Sequence, residues 1–249
     1  MSGGGQEPKA SPALASLDAA FDRAAFEGSL AAARKVDLTH PLIQGMPTWP
    51  THPCFEQRLL SSLEAGDDAC NHAIGMSEHT GTHFDAPAHF IRGGLTIDRI
   101  ATARLFCRLV TISGEATPAG GEVEAAEILA FEDRHGLILP GDAVFLHFGW
   151  DRLWYEDPSA FLAGWPGLAR GAAELLVARG VGIVGSDCLS IDVGTSTDFP
   201  AHRILLGAGI LVGENFNNLG RLPPVSTLLA LPLPIAGGSG APLRAIALV

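Results

Sequence analysis

The sequence predicts a single α/β domain whose mixed sheet curls into a partly closed, barrel-like layer with helices outside it. Three observations carry this. Apolar segments recur at short intervals from residue 36 to the end, several strand-type segments follow one another directly while others alternate with helical ones, and no low-complexity linker divides the 249 residues. A chain of this length can bury one large core. No internal repeat and no glycine-rich dinucleotide fingerprint is present.

Residues 1–12, opening Met-Ser-Gly-Gly-Gly, are expected to be disordered, with the folded domain spanning 13–249. Residues 12–35 are rich in Ala, Leu and Phe with Asp18, Asp22 and Glu27 interspersed, which predicts an added amphipathic helix. A β segment follows over 36–42, then a proline-bracketed loop, Met46-Pro-Thr-Trp-Pro50, that presents Trp49. Residues 55–63 and 73–85 read as strands joined by the polar turn around Gly66-Asp67-Asp68, and 105–113 as another. Residues 122–135 read as a helix, 143–148 as a buried strand, and 168–179 as a helix stopped by Gly180. A strand over 181–185 leads into Ser186-Asp187-Cys188-Leu189-Ser190-Ile191-Asp192. A short helix to Leu206, a strand over 210–213 ending at Glu214, and strands over 227–233 and 243–248 around a Gly-Gly-Ser-Gly turn complete the chain.

The formal charge of −11 opposes a nucleic-acid partner, which normally meets a basic face. Cys54, Cys70, Cys107 and Cys188 form no Cys-x-x-Cys pair, so buried free thiols are expected. The opening residues lack the basic and apolar regions of a secretory signal, and no apolar run is long enough to span a bilayer, so no membrane partner and a cytoplasmic location are expected.

Chemistry concentrates in His79-Thr-Gly-Thr-His-Phe-Asp-Ala-Pro-Ala-His89. Read as a strand, alternate residues share a face, gathering His79, His83 and Asp85 with the bare Gly81 between the imidazoles leaving room for a metal and water. A helix would turn Asp85 away, and Pro87 opposes one. Isolated histidines are usually satisfied by ordinary hydrogen bonds. Three of them with a carboxylate in eleven positions would instead carry a desolvation cost that a cation offsets. His89, beyond Pro87, is free to turn back as an acid/base group. Further ligands are expected from afar, with His202 and Glu214 the candidates; on the residues alone, ligation and plain hydrogen bonding both stay open for each.

The run from His79 to Phe90 resembles the signature of the cyclase family, which includes bacterial kynurenine formamidases and isatin hydrolases. The similarity continues through Asp37-Leu-Thr-His-Pro-Leu42, Trp49-Pro50, residues 185–192, residues 199–215 and Ala241-Pro-Leu-Arg-Ala-Ile-Ala247. It implies a swivelling β/β/α type of fold and a homodimer. It also implies two divalent ions, zinc or alternatively manganese, with His79, His83 and Asp85 on the first, Asp85 and Glu214 bridging, and His202 completing the second. His89 would be the proton donor and acceptor, and Trp49 the aromatic wall of the pocket. Asp187, Ser190 and Asp192 are pocket candidates, although a hydrogen-bonded loop after a strand explains them equally. His40 is a candidate for supporting a ligand or, more plainly, a turn residue before Pro41; His52, His72, His135 and His147 receive no role.

The activity implied is hydrolysis of a small aromatic amide, with N-formylkynurenine to kynurenine and formate the leading expectation. Ring-opening of a cyclic aromatic amide, as by an isatin hydrolase, is the runner-up. A non-catalytic metal-binding protein and a lyase or cyclase are the rivals from other classes.

Overall fold

A computed structural model of the chain describes residues 22–249. The disordered opening expected over 1–12, and the part of the N-terminal helix expected before residue 22, lie outside the described residues. The chain divides into two compact units at residues 34 and 35. In the first, α1 (Arg23–Ala32) is capped by the Asp22 carboxylate, which accepts from the Ala25 N–H at 3.0 Å.

The second unit is the α/β domain. In chain order it contains β1 (Lys35–Asp37), β2 (Glu56–Ser61), β3 (Asn71–Gly75), β4 (His83–Asp85), β5 (Phe106–Ser113), β6 (Glu122–Val123), α2 (Ala125–His135), β7 (Ala143–His147), α3 (Leu153–Glu156), α4 (Pro158–Phe161), β8 (Gly167–Leu168), α5 (Arg170–Arg179), β9 (Ile183–Ser186), α6 (Pro200–Gly207), β10 (Leu211–Glu214), β11 (Val225–Pro232) and β12 (Gly240–Leu248). The main sheet runs β1-β12-β11-β5-β7-β9-β10-β4, and β4 pairs again with β12. The sheet expected to be partly closed is therefore a closed ring. Its parallel part is β5, β7, β9 and β10, while β4, β11 and β12 run antiparallel to their neighbours. Closure leaves β4 no free edge, so its three residues are held from both sides.

Alternation along the strands splits the core in two. Leu109, Phe145, Ile183 and Leu211 join Phe84, Ala241 and Ala245 in a cluster to which no α-helix contributes a buried residue. Their neighbours Val110, Val144, Val184 and Val212 join the helix residues Ile128, Phe131, Phe161, Leu176 and Leu205. The first set fills the ring and the second lies beneath the outer helices. This explains the near-continuous apolar runs, since both strand faces are buried.

Several element boundaries differ from the sequence reading for local reasons. The strand expected over 73–85 is broken into β3 and β4, because Gly81 takes φ +62°, outside extended backbone. The helix expected from 122 begins at Ala125. Residues 122–123 pair with β8, and the Glu127 carboxylate fixes the start by accepting from the Glu124 N–H at 2.7 Å. Gly180 does stop α5, in the left-handed region. Of the four thiols, only Cys188 is fully buried; Cys54 and Cys70 are exposed and Cys107 is intermediate. No helix among the described residues is long and apolar enough to cross a membrane.

Gly167 is the tightest backbone approach in the fold: a Cβ there would lie 2.2 Å from the Val193 backbone nitrogen. Gly167→Ala is expected to cost about 1–3 kcal/mol in chemical denaturation. Gly171→Ala, in α5 with nothing within 4 Å of the new methyl, should be neutral or stabilising.

Candidate metal centre and adjoining cavity

The antiparallel register of β10 on β4 sets Glu214 opposite His83 and Val212 opposite Asp85. Phe84 points into the ring, so His83, Asp85 and Glu214 all project from its outer face. Gly213 is small because a Cβ there would meet the Phe216 ring at 2.5 Å and the Phe84 ring at 2.9 Å. Helix α6 packs against β10 and delivers His202 from above. His79 comes from the loop preceding β4. The strand-wide alternation expected from His79 to Asp85 holds only for His83 and Asp85. Gly81 needs its missing side chain for its φ and for Leu42, whose Cδ2 would lie 2.8 Å from a Cβ. It nevertheless lines the cavity, as expected.

Each of the three imidazoles has its outer nitrogen engaged. The His83 Nδ1–H donates to the Gly81 carbonyl at 2.8 Å, and the His202 Nδ1–H to the Asp192 carboxylate at 2.6 Å. His79 Nε2 lies 2.9 Å from the Ser239 hydroxyl, which itself donates to Glu78, so the ring supplies that proton. These contacts leave bare lone pairs on the inner nitrogens, and all three face carboxylate oxygens. His79 Nδ1 is 2.6 Å and His83 Nε2 3.3 Å from Asp85 Oδ1. His202 Nε2 is 3.2 Å from Asp85 Oδ2 and 3.1 Å from Glu214 Oε1, while Glu214 Oε2 is 3.5 Å from His83 Nε2.

Acceptors thus converge on acceptors in a buried space that, among the described residues, is lined by no lysine or arginine. Positive charge must enter, as protons or as cations. The titration behaviour has the same origin. Burial would lower the pKa of His83 and His202, but their contacts with Asp85, Asp192 and Glu214 outweigh it and raise both. Burial would raise Asp85, and the surrounding imidazoles hold it well below its usual value. Two ligand groups fit, His79-His83-Asp85 and Asp85-His202-Glu214, sharing Asp85.

Beside this cluster lies a cavity of about 190 Å³ walled by Trp49, Phe90, Phe199 and Leu189, with Ser190, His52 and His89 among its polar residues. Trp49 and Ser190, two of the pocket candidates, are among its lining residues. His89 lies tilted against His79 with ring centroids 3.9 Å apart, and burial lowers its pKa to about 4.

Asp187, expected as a pocket residue, does not line the cavity. Its carboxylate accepts from the Phe148 and Trp150 N–H groups at 3.0 Å, and burial pushes its pKa up to about 7. It forms a third acid-rich grouping with His147 and Asp151, but Asp151 likewise accepts from the Asn218 N–H, so these carboxylates shape loops. Asp192 also stands outside the cavity wall. It accepts from the Ala201 and His202 N–H groups at 2.8 and 3.1 Å, capping α6 from eight residues before its start while orienting the His202 ring. His40 lies in no turn: it is buried and stacked on Trp154 with centroids 4.2 Å apart, and burial lowers its pKa to about 4. His52 is a cavity residue that the sequence reading passed over; no cluster or periodicity flags it.

The family described as "Putative cyclase" matches residues 36–193. An isatin hydrolase of Roseibium aggregatum is 34% identical over 193 residues, 70% of this chain and 73% of that protein. A kynurenine formamidase of Salinibacter ruber is 29% identical over 220 residues, 85% of this chain and 95% of that protein. Among solved structures, isatin hydrolase A from Ralstonia solanacearum superposes with a TM-score of 0.83 at 30% identity, covering 98% of this chain and 100% of that one. Isatin hydrolase A from Labrenzia aggregata bound to benzyl benzoate gives 0.81 at 30% identity, covering 95% and 99%.

Asp192→Ala removes one acceptor from three N–H groups. It should cost about 1–2 kcal/mol in chemical denaturation, where Ser190→Ala, beside the cavity, costs under half of that.

Proposed function

The chain belongs to the cyclase family and is a metal-dependent amidohydrolase; we propose that it opens a cyclic aromatic amide of the isatin type by adding water across the ring C–N bond. The carrying observation is the convergence of inner imidazole lone pairs on two shared carboxylates beside an aromatic-walled cavity. Support for ring opening over N-formylkynurenine hydrolysis comes from the isatin hydrolases: the Roseibium enzyme is 34% identical where the Salinibacter formamidase is 29%, and two isatin hydrolase structures superpose at TM-scores of 0.81 and 0.83. The leading expectation from sequence therefore takes second place.

His79, His83, Asp85, His202 and Glu214 would hold the cations, and a nitrogen and oxygen donor set of this kind suits zinc and also manganese. When bound, a divalent cation supplies Lewis acidity that makes water nucleophilic near pH 7 and polarises a carbonyl. Asp85, with one oxygen toward His79 and His83 and the other toward His202, belongs to both groups and would serve each of them. Trp49, Phe90 and Phe199 would take the flat ring of the substrate and exclude bulk water around it. His89 belongs to neither ligand group, so its imidazole is available to accept the proton of the attacking water. It then donates that proton to the departing ring nitrogen, so that the aryl amine leaves neutral while the carbonyl carbon becomes a carboxylic acid, whose remaining proton is lost to solvent as it ionises to carboxylate. Homodimer formation is retained from the resemblance and is checked by light scattering.

Protein purified without added metal is expected to carry two divalent ions per chain by elemental analysis, and Asp85→Asn to lose both, since Asp85 is common to the two groups. One tightly held ion would remove the bridging role. His89→Ala should keep its metal yet lose about a hundred- to ten-thousand-fold in rate. Undiminished turnover in that variant would favour a metal-binding protein in which His89 has no chemistry. Direct assay separates the substrates: isatin should be consumed with one water taken up and the ring opened, and turnover confined to N-formylkynurenine would overturn the assignment.

A further inference from the structure

Two imidazoles of the cavity wall, His52 and His89, lie outside both ligand groups, and the chemistry above uses only His89. His52 sits at the end of a tight turn, its N–H donating to the Trp49 carbonyl at 2.9 Å, in a loop stiffened by Pro47, Pro50 and Pro53. Its ring is 6.1 Å from that of His79. Its Nδ1 is shut off from solvent and has no hydrogen-bond partner. An orphaned buried N–H is rarer in proteins than an orphaned acceptor, which puts the bare lone pair on Nδ1 and the proton on Nε2. The ring nitrogen left to serve a ligand in the cavity that His52 lines is then a fixed N–H donor.

A substrate lying on Trp49, Phe90 and Phe199 with its reacting carbonyl toward the cations that Asp85 and Glu214 would hold has its neighbouring atoms in the same cavity that His52 lines. In a five-membered lactam fused to a benzene ring, the carbon between the reacting carbonyl and the aromatic ring carries its substituent on the same edge as that carbonyl. We propose that His52 is a specificity-determining residue whose Nε2–H donates to a second carbonyl oxygen adjacent to the scissile amide, selecting vicinal dicarbonyl lactams over simple ones. This rests on the ring-opening reading.

The test compares isatin with oxindole, the same ring system lacking the second carbonyl, as ligands of the metal-loaded enzyme by calorimetry, in a His89→Ala background so that isatin is bound without being consumed; kinetic constants are taken with His89 in place. The wild type should favour isatin about ten-fold, the value of one well-placed hydrogen bond. His52→Phe, which keeps a ring but no donor, should bring the ratio near one, leaving oxindole affinity and metal content unchanged and raising KM for isatin more than it lowers kcat. His52→Gln, which returns an N–H donor, should recover part of the preference. An undiminished isatin preference in the Phe variant, or none in the wild type, would overturn the proposal. Should the Phe variant not fold, the Gln variant and the wild-type ratio still decide it. Failure of the ring-opening reading would show separately, as absent isatin turnover in an enzyme whose binding ratio still depends on His52.

Discussion

The structure is organised around one electrostatic constraint: carboxylate oxygens of Asp85 and Glu214 face imidazole nitrogens whose protons lie on the opposite side of each ring. Burying such a set is costly unless positive charge joins it. The outer contacts, to the Gly81 carbonyl, Asp192 and Ser239, determine which nitrogen points inward, so they are part of the metal centre although they would touch no ion. The closed ring then does the positioning. Held between β10 and β12, the three residues of β4 cannot slip register without turning His83 and Asp85 inward and Phe84 out.

Much of this was legible in the sequence, because the ligands that lie near one another in the chain also share a short motif. His79, His83 and Asp85 stood out by spacing, and Glu214 by being a carboxylate at the end of an apolar strand. The route by which they meet was less legible. Alternation along one long strand would have served, but Gly81 leaves the extended region and His79 reaches the site from a loop, steered by Glu78 and Ser239. That steering comes from a residue 160 positions away, for which the sequence carries no local signal.

That the ring closes fully, and through β4, was hidden for the same reason. Pairing of β4 with β12 brings residues 83–85 to 240–242, and nothing in a three-residue segment announces two partners. Asp187, Ser190 and Asp192 illustrate a second limit. They share one loop and similar chemistry, yet Ser190 lines the cavity, Asp187 fastens the loop after β7 and Asp192 caps α6. Composition shows a polar loop after a strand; only the paths of neighbouring backbone N–H groups decide which side chain each one claims.

Asp192 shows why these roles cannot be separated. Helix α6 starts from Phe199 in the left-handed region, without a side-chain cap of its own, and Pro200 next to it has no N–H to satisfy. The free N–H groups of Ala201 and His202 turn instead to Asp192, and the same carboxylate takes the His202 ring proton. A single group therefore fixes the start of the helix, the rotation of the ring and the direction of its lone pair. The close approach of Gly167 to Val193 and the Trp165 indole N–H on the Asp192 carbonyl hold that group from behind. Stability of the outer layer and geometry of the metal centre are consequently one property: displacing the loop behind Asp192 loosens the helix and turns away the second ligand group in the same motion.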